Sequence, residues 1–288
     1  MSPGVPFLRV SGAGNDFLAL AEPAVEPTAA EIRAWCRRGV SLGADGVFVL
    51  RRRQAGVAGG TASPPVVDMA YSNADGGAAE LCLNGTRCAA QVAFHLGWAT
   101  DEVEIATGAG PVAARRVDRA TVAVELPRPE AGEEVEVEAA GERVRGTYLV
   151  AGVPHLIVEW PAGLAAAPLA ELGPPLRRHP RFPAGANVSF VHAPAAGRLE
   201  IRTWERGVEG ETLACGTGVL AAVAAGLAQD RLTLPVAVLT AGGFTLAVDA
   251  SPTAPERWTL AGDARVLAEG RLLPAATAVP APPRWTVP

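Results

Sequence analysis

The chain of 288 residues contains no lysine, so its whole Lys+Arg count of 25 is arginine. That absence excludes a lysine Schiff base, and with it ordinary pyridoxal-phosphate catalysis. It excludes a lysine-bearing phosphate loop as well. Cysteine is scarce: Cys36, Cys82, Cys88 and Cys215 are too few for a disulfide framework in a chain this long. No C-x-x-C occurs, and His95, His155, His179 and His192 are scattered, which argues against a metal site. No apolar run is long enough to span a bilayer, and the N-terminus lacks a signal-peptide pattern. Positive charge is also limited. A net charge of −5 and a pI near 5.5 argue against nucleic acid as a partner, and the short run Arg51-Arg52-Arg53 reads as a solvated strand end. The expectation is a soluble, reduced, cytoplasmic protein with no membrane partner. Apolar residues make up 49%, enough for one large core or two ordinary ones.

What is present centres on residues 205–225, ERGVEGETLACGTGVLAAVAA. Cys215 precedes the turn Gly216-Thr217-Gly218, which enters a small-residue helix. A thiol there meets unpaired backbone N–H groups and the positive end of the helix dipole, so its pKa is expected to fall. A second copy lies almost half the chain away: Cys82-Leu83-Asn84-Gly85, followed by Thr86-Arg87-Cys88-Ala89-Ala90. Aligning the cysteines pairs Asn84 with Thr217 and Gly85 with Gly218, and an acidic residue precedes each copy (Glu80, Glu211). Two such halves imply a pseudo-symmetric protein with one site between them.

Along the chain, strands are expected at 5–10, 17–21, 47–50 and 66–72. Thr28-Ala29-Ala30-Glu31 is a capping box opening a helix that ends near Gly39. Residues 55–65 form a Gly/Ala/Pro loop, and the first thiol helix runs to about Leu96. Short strands fill 103–150, with Pro127–Pro129 as a linker. Val153-Pro154-His155 forms a turn before a strand at 156–160, and a short helix occupies 169–172. Strands at 187–191 and 199–205 deliver Glu205 and Arg206 to the second motif. The helix after Gly218 is apolar on every face and should be buried all round. Strands resume from Val236 to about Leu267, and residues 271–288 read as a loosely ordered tail.

Two opposed thiols can act as base and acid on opposite faces of one carbon, inverting a stereocentre with no cofactor. Helix N-termini aimed at a carboxylate would stabilise the charge that builds there. Cys36 and Cys88 read as packing. A Cys–His hydrolase with His155 as base would leave the second thiol motif unexplained. A redox-sensing or amino-acid-binding protein with a reversible thiol pair is the reading from another class.

At these residues the chain resembles the diaminopimelate epimerases. The resemblance runs from about Phe7 to Gly270 through Gly12-Ala13-Gly14-Asn15-Asp16-Phe17, Gly43-Ala44-Asp45-Gly46, Asn73-Ala74-Asp75-Gly76, Asn84-Gly85-Thr86-Arg87-Cys88, Pro154-His155, Glu205-Arg206-Gly207 and Ala214-Cys215-Gly216-Thr217-Gly218. It implies an α/β (α+β) fold of two pseudo-symmetric domains, each a curved, mostly antiparallel sheet around a central helix, with the site in the cleft. The halves would be 1–122 with a returning strand at 263–270, and 123–262, followed by the tail. It implies conversion of LL- to meso-diaminopimelate for lysine and peptidoglycan synthesis, without cofactor or metal, in a family that is often dimeric. Cys82 and Cys215 would be the acid/base pair, with His155 and Glu205 supporting them. The backbone around Asn84-Gly85 and Gly216-Thr217 would hold the reacting carboxylate, which makes Asn84, Gly85, Gly216 and Thr217 substrate-binding residues. Asn15, Asn73, Asn187 and Arg206 would hold the distal end, Arg206 by a carboxylate pair, although turn-making accounts for Asn15 and Asn73 equally. Three positions depart from the family pattern. Leu83 replaces a glycine after the first thiol, Val153 an asparagine before Pro-His, and Ser11 a histidine. Val153 leaves a racemase of another amino acid as the alternative substrate choice.

Overall fold

The computed structural model describes residues 4–53 and 64–278. Residues 55–63 of the expected loop, and the tail beyond 278, lie outside the described residues.

Among the described residues, eighteen strands and four α-helices follow one another in an order that repeats. The first run is β1 (Val5–Gly12), β2 (Asn15–Ala21), α1 (Ala29–Cys36), β3 (Gly46–Arg52), β4 (Val66–Asn73), β5 (Ala78–Ala79), α2 (Leu83–His95), β6 (Glu102–Thr107), β7 (Gly110–Arg116) and β8 (Thr121–Pro127). The second is β9 (Glu133–Ala139), β10 (Glu142–Ala151), β11 (Val153–Glu159), α3 (Leu169–Arg177), β12 (Asn187–Ala195), β13 (Arg198–Glu205), β14 (Gly210–Thr212), α4 (Gly216–Ala228), β15 (Val236–Thr240), β16 (Thr245–Ala250) and β17 (Arg257–Asp263). The last strand, β18 (Arg265–Leu272), pairs antiparallel with β1. In the first run it holds the place that β9 holds beside β10 in the second.

The pairings repeat with the order. β2 and β3 are parallel, as are β11 and β12; β4 and β6 are parallel, as are β13 and β15. The remaining neighbours are antiparallel. The runs join edge to edge where β17 meets β8, from Arg257 opposite Pro127 to Asp263 opposite Thr121.

Period-two alternation explains the layers. In β2 and β3, Phe17, Ala19, Phe48 and Leu50 face the core around α2, while Leu18, Leu20, Val47 and Val49 face α1. In β11 and β12, Ile157 and Val191 join the core around α4, and Leu156, Val158, Val188 and Phe190 pack against α3. Strands covered on both faces read as unbroken apolar runs in the sequence. Helix α4 is buried from Val219 through Ala225, as its all-round apolar sequence requires.

Four expectations need correction. The capping box at Thr28 forms, but α1 stops at Cys36, because the chain turns back and the Gly43 and Ala44 N–H groups take the Trp35 and Cys36 carbonyls. Val153-Pro154-His155 belongs to β11, with His155 opposite Leu149, rather than to a turn. Helix α3 continues to Arg177 through Pro174 and Pro175, because Leu169, Leu172 and Leu176 are buried at helical spacing and outweigh the lost hydrogen bonds. Arg271 and Leu272, placed in the tail on sequence, pair with Pro6 and Val5. Among the described residues, no helix is long and apolar enough to cross a membrane.

Candidate active site

Strand β4 and the short β5 deliver the chain to Cys82, and β13 with the short β14 delivers it to Cys215. Each cysteine is the N-cap of its helix, in nearly the same extended backbone: φ −137° and ψ 108° at Cys82, φ −116° and ψ 105° at Cys215. An N-cap side chain points at the orphan N–H groups of the first turn. Cys82 Sγ accepts from the Gly85 N–H at 3.4 Å. Cys215 Sγ lies 3.5 Å from Thr217 Oγ1. Cys82 is half-buried and Cys215 is 7% exposed.

The two helix starts abut. Asn84, two residues beyond Cys82, donates from Nδ2 to the carbonyl of Ala214, one residue before Cys215, at 3.1 Å. Leu83 is 4% exposed, and a Cβ added to Gly216 would lie 3.0 Å from the Leu83 Cβ. The Leu83 side chain therefore packs between the helix ends. Glycine at 216 allows the close approach that Leu83 demands.

Around Cys215, the Glu205 carboxylate accepts from Thr212 Oγ1 and from the Cys215 thiol. Ser189 and Thr203 form a buried hydroxyl pair at 2.9 Å, and a Cβ on Gly218 would approach Ser189 Oγ to 3.3 Å. His155 is 0% exposed, neither ring nitrogen has a hydrogen-bond partner among the described residues, and it sits opposite Asn187 across β11 and β12. Burial, helped by the charge of Arg206, pushes its pKa down to about 3, so the imidazole is neutral.

The predicted distal group behaves differently. Asn187 Oδ1 accepts the Arg206 N–H at 2.7 Å, and Arg206 Nη1 donates to the Ala184 carbonyl at 2.8 Å. Asn15 donates to Asp45 at 2.9 Å and accepts from Asn84 at 2.6 Å, so both ends of its amide are engaged within the protein. Asn73 is exposed, and its backbone closes the turn to Gly77. It lies opposite Gly46 in the same sheet register that sets Gly46 opposite Phe17, so Asn15 and Asn73 lie at the same end of β2 and β4, on either side of β3.

The expected fall in thiol pKa is overturned. Burial pushes Cys82 up to about 11, against the lowering effect of the Gly85 N–H. It pushes Cys215 well above its ordinary value, with the Glu205 carboxylate adding to the rise. Removal from water outweighs the helix ends because the thiolate is the charged form. The side chains of Arg87, Asp45, Ser189 and Thr203 were not singled out in the sequence, and Asn84 was assigned through its backbone. Asn84 and Arg87 carried a signal: three apart in one helix, they meet on one face.

A sequence model described as diaminopimelate epimerase matches residues 7–130 and 147–255. A diaminopimelate epimerase from Gemmatimonas aurantiaca is 35% identical over 289 residues, covering 92% of this chain and 98% of that protein. One from Aquifex aeolicus is 33% identical over 284 residues, covering 92% and 97%. A solved structure of a phenazine biosynthesis protein of the PhzF family from Enterococcus faecalis superposes with a TM-score of 0.65 at 14% identity, covering 94% of this chain and 99% of that one. At that identity the likeness speaks for the fold alone.

Proposed function

The chain belongs to the diaminopimelate epimerase family, and from that premise we propose how its own residues carry the reaction. It is an isomerase that epimerises diaminopimelate, interconverting the LL and meso forms, in the biosynthesis of lysine and peptidoglycan precursors. The observation that carries the two-thiol mechanism is the matched pair of N-cap cysteines, tied together by the hydrogen bond from Asn84 to Ala214.

In this mechanism one thiolate removes the α-proton from one face of the substrate, and the opposite thiol returns a proton to the other face. We assign the resting thiolate to Cys82: it accepts the Gly85 N–H and lies in the field of buried Arg87, while Glu205, whose charge raises both thiols, is also hydrogen-bonded to Cys215. The electron pair left on the α-carbon delocalises into the carboxylate. The first-turn N–H groups of α2 and α4 stabilise it there. One turnover exchanges thiol and thiolate, and proton exchange with solvent resets the pair before the next turnover in the same direction, so no cofactor enters the proton balance. Neutral His155 serves as a hydrogen-bonding partner for the reacting amino group and Glu205 as the group that sets Cys215. Arg206, next to Asn187, would hold the distal end of the substrate together with Asn15 and Asn73.

We further infer that the chain works as two halves, residues 1–122 with β18 returning to them and residues 123–262, with β8 and β17 as the seam. The repeated strand order supports this division. The place of action is the cytoplasm, where precursor synthesis occurs. The reading is tested with LL-diaminopimelate beside a panel of L-amino acids. Conversion of diaminopimelate alone supports it, and turnover of another amino acid in its place would reassign the substrate to a racemase reading.

A further inference from the structure

Arg87 is a charged side chain that the proposed chemistry does not use directly. It sits in the first turns of α2, is 0% exposed, and makes one hydrogen bond, from Nη2 to Asn84 Oδ1. Its Nε and Nη1 have no hydrogen-bond partner among the described residues. The side chain runs under β17, where a Cβ on Gly262 would lie 3.4 Å from Arg87 Nε. Gly262 pairs with Val122 across the seam of the two runs. Burying a guanidinium with two idle donors costs stability, and that cost calls for a compensating role.

The role follows from the chemistry of the Asn84 amide. An amide has one acceptor end and one donor end, and turning it over exchanges them. Asn84 spends both N–H bonds on Asn15 Oδ1 and the Ala214 carbonyl. Turned over, it would set its own oxygen against both acceptors. A guanidinium can only donate, so a donor aimed at Oδ1 admits one orientation alone. Asn15 is in turn fixed by Asp45, which pairs with Arg38 at 2.7 Å. The network thus runs from the seam at Gly262 to the residue before Cys215.

We propose that Arg87 is a positioning residue: by donating to Asn84 Oδ1 it fixes the sense of that amide and so holds the start of α2 against the residue before Cys215, setting the separation of the two thiols. This inference rests on the two-thiol reading above.

The test compares wild type with Arg87→Met, which keeps the volume and removes the charge. Removing a buried, poorly paired charge favours the fold and leaving Asn84 Oδ1 without its donor disfavours it, so the two offset. The expected result is therefore a Tm close to wild type, a KM within about threefold, and a kcat lower by about 10²-fold from misplacement of the reacting groups. A residue serving only structure would give the opposite split, with a lowered Tm and kcat retained in the folded enzyme, and that would overturn the proposal. Should Arg87→Met fail to fold, Asn84→Asp decides. It keeps an acceptor for Arg87 but loses the donors to Ala214 and Asn15, so kcat should fall by a similar factor, and wild-type kcat would refute the role. An activity-independent readout separates this inference from the functional reading. Besides Arg87 on its own helix, Cys82 is faced by Glu205 and by the Tyr71 phenol. Alkylation of Cys82 by iodoacetamide in substrate-free protein should slow about tenfold in Arg87→Met. If wild type does not epimerise diaminopimelate, the functional reading fails. The alkylation comparison then still judges Arg87: a slowed rate sustains its role and an unchanged rate removes it.

Discussion

Cys82 and Cys215 share a backbone conformation and a place in their helices but differ in surroundings. Cys82 has a nearby cation, whereas Cys215 is hydrogen-bonded to the Glu205 carboxylate, whose charge also reaches Cys82, and in the proposed mechanism this difference separates their roles. Cys82→Ser and Cys215→Ser should each lower kcat by about 10³-fold, the scale of a lost general acid or base. Cys36→Ser, at the buried end of α1, should leave kcat near wild type. Equal losses at all three, tracked by steady-state assay with Tm measured alongside, would point to stability rather than chemistry. His155 gives a second prediction. Its pKa is lowered from 6.5 to about 3, so the folded state favours the neutral ring. The stabilisation is fully present above pH 6.5 and is lost as pH falls from there towards the folded value, because the unfolded chain binds the proton first. Wild type should lose stability relative to His155→Gln at up to about 1.4 kcal/mol per pH unit on that acid limb. A stability difference independent of pH in denaturant melts would rule out a buried neutral imidazole.

The helices and their caps were the most legible elements, because their signals are local. The capping box at Thr28, the stop after Leu96 and the all-apolar sequence of α4 each state their structure within one or two turns. Helix α3 was cut short on sequence because two prolines are read as breakers, whereas the burial of Leu169, Leu172 and Leu176 is a tertiary fact. His155 was misplaced into a turn for a similar reason: Pro154 hid a strand whose pairing with β10 and β12 is not local. The lowered thiol pKa expected from helix ends failed because depth of burial is set by the surrounding sheets. At this scale the contact of Leu83 with Gly216 is open to test. Gly216→Ala adds a Cβ 3.0 Å from Leu83 Cβ, tighter than packed atoms tolerate. It should cost about 1–3 kcal/mol by overpacking and lower kcat as the helix ends move apart. Leu83→Gly in the same chain should relieve the clash and recover part of both losses, read by thermal melts and initial rates.

Across the whole molecule, one order of strands and helices is used twice, and the edges of the two runs are joined at β8 and β17. The repeat was visible in the sequence only where chemistry constrains it, around the two thiols. Elsewhere the strands share a pairing pattern without sharing residues, since a pleated, half-buried position accepts many apolar side chains. The side-chain bridge from Arg87 through Asn84 to Ala214 was hidden because its Asn84–Ala214 bond joins residues 130 apart in the chain. The central claim is that the two helix starts, one from each run, form a single proton-transfer site. Its most direct test is proton NMR of the reduced protein in D2O with LL-diaminopimelate. The account predicts loss of the α-proton signal at the reacting centre together with growth of the meso isomer, and neither change in Cys82→Ser or Cys215→Ser on the same timescale. Folded, reduced wild-type protein that leaves the α-proton in place would contradict it.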